Sequence, residues 1–148
     1  MQKITRIVIP VDNSEASRIA TEQGAFFAKI LNVELSIISV DETEQFMVSA
    51  LLQKKIKDEK ARFLSDIKKL AEENGVTAST RLTAGDPAKE IVSHVTENDL
   101  IIMASKEKTG YNKFLLGSVS EEVLRHAPCS VMIIKPTSLH SANDFKEK

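Results

Sequence analysis

Five short runs, most of them rich in β-branched residues, recur along the chain, and a segment with helical period separates each from the next. The runs are Ile4–Val11, Glu34–Val40, Thr77–Thr83, Leu100–Ala104 and Ser130–Lys135. Strands that alternate with helices build a parallel sheet with right-handed crossovers, because each connection must return the chain to the same end of the sheet. Four of the runs are almost continuously apolar, as strands covered on both faces should be. The third, TASTRLT, is more polar and alternates, which predicts an edge strand.

The helical segments carry their own start and stop signals. Asn13 and Ser14 can cap a helix whose inner face reads Ala16, Ile19, Ala20, Gly24, Phe27 and Leu31. A long helical region is expected from Phe46 to Asn74, with Phe63, Ile67 and Leu70 inward and Asn74-Gly75 as its stop. Asp86 before Pro87 suits the cap and first turn of a third helix, with Ala88, Ile91, Val92 and Val95 as its buried stripe. A short final helix from Ser118 to His126 ends at Ala127-Pro128. The segment Asp41–Gln45 is polar and reads as loose. The order is thus β-α-β-α-β-α-β-α-β, a single doubly wound α/β domain over residues 1–136. The polar tail, residues 137–148, reads as disordered.

Composition narrows the function classes. Lys plus Arg number 20 against 21 Asp plus Glu, so the formal net charge is -1 and no broad basic field exists for nucleic acid or a membrane surface. Cys129 is the only cysteine, which excludes an internal disulfide and suits a reducing compartment. No apolar run approaches the ~18 residues of a membrane span, and MQKITRIVIPVD lacks the core and cleavage site of a signal peptide. A cytoplasmic protein is expected.

Two segments carry candidate chemistry. Pro10, Val11, Asp12, Asn13 and Ser14 stand at the carboxyl end of the first strand, where a carboxylate can meet a ribose or base. Asp12 and Ser14 would equally serve as helix caps there. The stretch from Ser105 and Lys106 through Glu107 to Gly117-Ser118 is a polar, lysine-bearing loop. It leads into a helix start whose backbone N–H groups can hold an anion. His94, His126 and His140 have no metal-site spacing, Cys129 reads as an inert buried thiol, and no nucleophilic triad is present.

These residues resemble the universal stress protein family. The opening Val8-Ile9-Pro10-Val11-Asp12-Asn13-Ser14-Glu15 is similar to the family's start. Asp99–Met103 and the block Leu115–Val131 are similar to its closing region. The resemblance spans roughly residues 3–136 and implies a sheet of order 3-2-1-4-5. It also implies a homodimer joined through the fifth strand, Val131, Met132, Ile133 and Ile134. Many members bind ATP through G-x2-G-x9-G-[ST], which here falls on Ala104, Glu107, Gly117 and Ser118. By the same resemblance Asp12 and the backbone around Val40 would meet the adenosine, and Ser118, Val119 and Ser120 the phosphate. Pro10, Val11, Met103, Ala104, Ser105, Lys106 and Glu107 complete the nucleotide-binding positions that the resemblance implies.

The departures at Ala104 and Glu107 bear on the ligand. A carboxylate about 5 Å from a phosphate costs on the order of 3 kcal/mol at an effective dielectric near 20, and screening reduces that by about half. The expectation is a non-catalytic stress-response protein with a degenerate nucleotide cleft, in which no cofactor is certain and ATP or AMP are the candidates. A nucleotide-operated switch is the alternative. Slow ATP hydrolysis ranks last, since no dedicated base or metal-binding pair is evident.

Overall fold

A computed structural model describes residues 3–105 and 116–135 of the chain. The strands are β1 (Arg6–Val11), β2 (Glu34–Asp41), β3 (Ala78–Ala84), β4 (Asp99–Ala104) and β5 (Ser130–Ile134). The helices are α1 (Glu15–Leu31), α2 (Ala50–Glu73), α3 (Pro87–His94) and α4 (Ser118–His126), with one 3-10 turn at Thr43–Gln45. All strand pairings are parallel and the order is β3-β2-β1-β4-β5. The expected sheet is therefore present, with the polar third run at an edge. Among the described residues no helix is long and apolar enough to cross a membrane.

Because side chains alternate across a strand, one sheet supplies two cores. Ile7, Ile9, Leu35, Ile37, Leu100 and Ile102 pack beneath α1 and α2, against Ala20, Ala25, Ala28, Leu64 and Ile67. Val8, Ile38, Val40, Ile101 and Met103 face the other way, against Ala88 and Ile91 of α3 and Val123 of α4. Each fully buried aliphatic side chain contributes about 1.5–3 kcal/mol of burial free energy. The central strands β1, β2 and β4 hold most of these residues.

Several local expectations need correction. The inner face of α1 is rotated from the apolar stripe: Ser17, Ala20, Thr21, Gly24, Ala25 and Ala28 are buried, whereas Leu31 is 45 % exposed. Small residues let the helix approach the sheet closely, and the bulky ones flank the contact. Helix α2 starts at Ala50 rather than Phe46, because the Ser49 hydroxyl accepts the Leu52 N–H at 3.2 Å and caps it there. Its buried residues are Leu64, Ile67 and Ala71, with Phe63 and Leu70 at the sides.

The segment Asp41–Gln45 is ordered. Asp41 closes β2, Thr43 starts the 3-10 turn, both are buried, and the Asp41 carboxylate accepts the Thr43 N–H at 2.9 Å. On α3, Val92 is only half-buried beside Ala88, Ile91 and Val95. The expected stops and caps at Asn74-Gly75, Asp86-Pro87 and Ala127 are in place, with Gly75 at φ 82°. Cys129 is half-buried rather than buried, and desolvation pushes its thiol up. The expected tail lies outside the described residues.

Strand order reverses between β1 and β4. From β1 the chain moves outward to β2 and β3, then returns through α3 to the opposite side of β1. Loops leaving the carboxyl ends of β1 and β4 must therefore diverge, and that divergence opens a crevice.

Candidate functional site

The crevice is a cavity of about 370 Å³, within the range of small-ligand pockets. Its floor is apolar: Ile38 and Val40 of β2, Met103 of β4 and Ile91 of α3. These side chains belong to the core beneath α3, so the floor continues a packed layer. Val40 and Met103 are 8 % and 6 % exposed, enough to present a flat apolar surface and no more.

One wall is the turn after β1, held rigid by short-range hydrogen bonds. The Asp12 Oδ1 accepts the Ser14 N–H at 3.0 Å and the Ser17 hydroxyl at 2.9 Å. The Asp12 N–H in turn donates to Ser17 Oγ at 2.9 Å. Ser14 caps α1, its hydroxyl accepting the Ser17 N–H at 3.3 Å. Ser14 is the cap, while Asp12 braces the turn and lines the cavity.

The facing wall is the start of α4. Gly117 is its N-cap at φ -64° and supplies no side-chain acceptor to the first turn. A Cβ built on Gly117 would meet nothing within 4 Å of the described atoms. The backbone N–H groups of a first helical turn have no intrahelical acceptor, and together with the helix dipole they favour an anion. Here they belong to Ser118, Val119 and Ser120, which line the cavity.

Eleven of the candidate residues singled out from the sequence line this one cavity: Pro10, Val11, Asp12, Ser14, Val40, Met103, Ala104, Gly117, Ser118, Val119 and Ser120. Ser105 does not; its N–H extends the pairing of β4 and β5 by donating to the Ile134 carbonyl at 3.0 Å. Lys106 and Glu107 lie outside the described residues. Sequence reasoning missed Ile38, Glu42, Lys60, Pro87 and Ile91. Ile38 was legible as the residue two before Val40, on the same face of the strand. Lys60 comes from a helix that carries no motif.

The other reactive side chains stand elsewhere. His94 lies at the amino ends of the strands, with Nε2 3.2 Å from Ser36 Oγ. His126 is 3.5 Å from Glu122 on the exposed face of α4. Among the described residues no group of three His, Cys, Asp or Glu could hold a metal ion.

Comparison with known proteins bears on this arrangement directly. The universal stress protein family model matches residues 3–135. A universal stress protein of Methanocaldococcus jannaschii is 36 % identical over 138 residues, covering 88 % of this chain and 81 % of its own. The solved UspA of Lactobacillus plantarum superposes with a TM-score of 0.77 at 21 % identity, over 90 % of this chain and 99 % of that one. A universal stress protein in complex with cAMP gives 0.72 at 20 % identity, over 92 % and 100 % of the two chains. One from Archaeoglobus fulgidus in complex with dAMP gives 0.64 at 19 %, over 91 % and 100 %. At those identities the structural likeness is one of fold. The family match, spanning both the braced turn after β1 and the open start of α4, goes further: the chain belongs to the universal stress protein family.

Proposed function

We propose that this protein is a non-catalytic stress-response protein whose cleft takes an adenine mononucleotide in preference to ATP. The observation that carries the reading is the start of α4. An uncapped first turn with open space at Gly117 borders an apolar floor and faces the Asp12 turn across one cavity. A planar base suits the floor, a ribose suits the carboxylate, and one phosphate suits the helix N-terminus. Two solved proteins of the same fold are complexes with cAMP and dAMP, each bearing a single phosphate.

A triphosphate would have to extend along the loop after β4, where Ala104 stands in place of the motif's first glycine and Glu107 in place of its second. The methyl of Ala104 restricts close backbone approach, and at the motif position of its glycine the Glu107 charge would oppose each added phosphate. Asp12 already holds the Ser14 N–H and the Ser17 hydroxyl, which supports a bracing role over that of a base.

Calorimetry with AMP and ATP tests the reading. The wild type should bind AMP more tightly than ATP. The double variant Ala104→Gly, Glu107→Gly should gain more for ATP than for AMP. Glu107→Gln should supply most of that gain, since it removes the charge and keeps the bulk. Wild-type protein that already bound ATP as tightly as the double variant would refute the preference. ADP accumulating over time would refute the non-catalytic assignment.

The proposal includes a homodimer through β5. That strand is the last in the sheet, and Val131, Met132, Ile133 and Ile134 are each only half-buried in the single chain. A second copy would cover the open edge through an isologous two-fold contact.

A further inference from the structure

Helix α2 has 24 residues and begins beyond the carboxyl end of β2. At 1.5 Å per residue it is about 36 Å long, whereas an eight-residue strand reaches only about 27 Å. Its first turns therefore overhang the end of the sheet where the cleft lies. The core-facing row of α2 is Leu64, Ile67 and Ala71, all buried. One step of four residues back along that row is Lys60. Helical side chains tilt toward the helix N-terminus, so Lys60 is carried outward past the core and over the strand ends. It is half-buried and lines the cleft. A lysine thus occupies an inward-facing position at the turn where the row leaves the core.

The charges around it give that position a consequence. Among the described residues lining the cleft, Asp12 and Glu42 are acidic and Lys60 is the one cation. The ion pairs found among the described residues are Arg6–Asp99, Arg18–Glu15 and His126–Glu122, so neither cleft carboxylate lies within ion-pair distance of Lys60. Without Lys60 the described lining would hold no cation to meet an anionic ligand.

We infer that Lys60 is the residue by which this cleft discriminates a phosphate-bearing nucleotide from its nucleoside. The inference rests on the nucleotide reading above and adds to it a selecting charge from outside the family's motif. A neutral ligand gains nothing from the ammonium group. An anionic one gains its attraction.

The test titrates AMP and adenosine into the full chain, as wild type, Lys60→Gln, Lys60→Met and Lys60→Arg. Lys60→Met retains an apolar stem, so lost packing and lost charge can be told apart. Removing the charge should weaken AMP about tenfold, the scale of a charged hydrogen bond discounted for partial exposure. Adenosine should stay within about twofold, and Lys60→Arg should keep most of the AMP affinity. The loss of AMP affinity should also shrink as salt is raised.

Unchanged AMP affinity in both neutral variants, with the wild type binding AMP, would overturn the role of Lys60 and leave the nucleotide reading standing. Equal weakening of adenosine and AMP would also overturn it, leaving Lys60 a packing residue. Wild type that bound neither AMP nor adenosine would overturn both readings together.

Discussion

Arg6 on β1 and Asp99 on β4 meet across the amino ends of the sheet through two hydrogen bonds, Nε to Oδ1 at 2.9 Å and an Nη to Oδ2 at 2.7 Å. The Asp99 side chain is 2 % exposed and that of Arg6 26 %. Burial alone would raise the Asp99 carboxyl. The Arg6 hydrogen bond and charge, with the Thr96 N–H at 2.7 Å, more than offset this and hold it below its usual 3.8. Nearby His94 is pushed below 6.5, first by burial and then by the charges of Arg6 and Arg81, with Asp99 opposing. Both groups have depressed values in the fold, so both contribute stability that is present at high pH and lost on acidification. His94 should act first, below about 6.5, and Asp99 below about 3.8. At pH 7, Asp99→Asn should lower stability by about 2–3 kcal/mol, under the range for a fully buried pair because Arg6 is partly solvated. Urea midpoints for wild type and variant should converge as the pH falls below about 3.8. His94→Gln should flatten the decline that begins near 6.5. A gap that stayed constant down to pH 2 would show that the Arg6–Asp99 pair contributes nothing through its charge.

Helix α1 owes its approach to the sheet to small residues, and Gly24 is the closest point. A Cβ built there would overlap Ile9 Cδ1, with Cγ1 at 3.1 Å. Alanine is the better helix former by about 1 kcal/mol. Forcing a methyl into a packed contact costs about 1–3 kcal/mol, and here the obstructing atom is a fully buried isoleucine. Gly24→Ala should therefore destabilise by up to about 2 kcal/mol overall. Ile9→Val removes the obstructing Cδ1, so the double variant should be more stable than the sum of the single effects implies. A urea double-mutant cycle with no coupling between positions 24 and 9 would contradict this packing. The same elements show why helix faces are harder to read than helices. The stripe through Ala16, Ile19, Ala20, Gly24, Phe27 and Leu31 suggested one inner face; Ala20 and Gly24 lie on it, but the sheet took Ser17, Thr21, Ala25 and Ala28 beside them in place of the bulky residues.

Across the whole molecule the two edges of the sheet differ. The β3 edge exposes Ser79, Thr80 and Arg81, side chains that tolerate water. The β5 edge carries Val131, Met132, Ile133 and Ile134, paired with β4 on one side and with no strand on the other among the described residues. An apolar edge of this kind invites pairing, and the proposed two-fold dimer would cover it. Light scattering across micromolar concentrations should give twice the chain mass of 16.4 kDa. A monomer throughout that range would remove β5 as an interface.

Local signals in the sequence carried the element order, most of the stops and caps, and the two strand ends that frame the candidate site. Ser14, Asp86-Pro87, Asn74-Gly75 and Ala127 act on their own neighbours, so their effects need no knowledge of the rest of the chain. Resemblance to a family supplied the strand order, which periodicity alone leaves open. Only the tertiary structure decided the rotation of α1, the ordered turn at Asp41–Gln45 and the pairing of Arg6 with Asp99, which lie 93 residues apart. It alone brought Lys60 to the cleft. Local signals report what a residue does to its own helix or strand. The neighbours a side chain meets depend on how far a helix outruns the sheet and which face the core accepts, and those are set only when the layers pack.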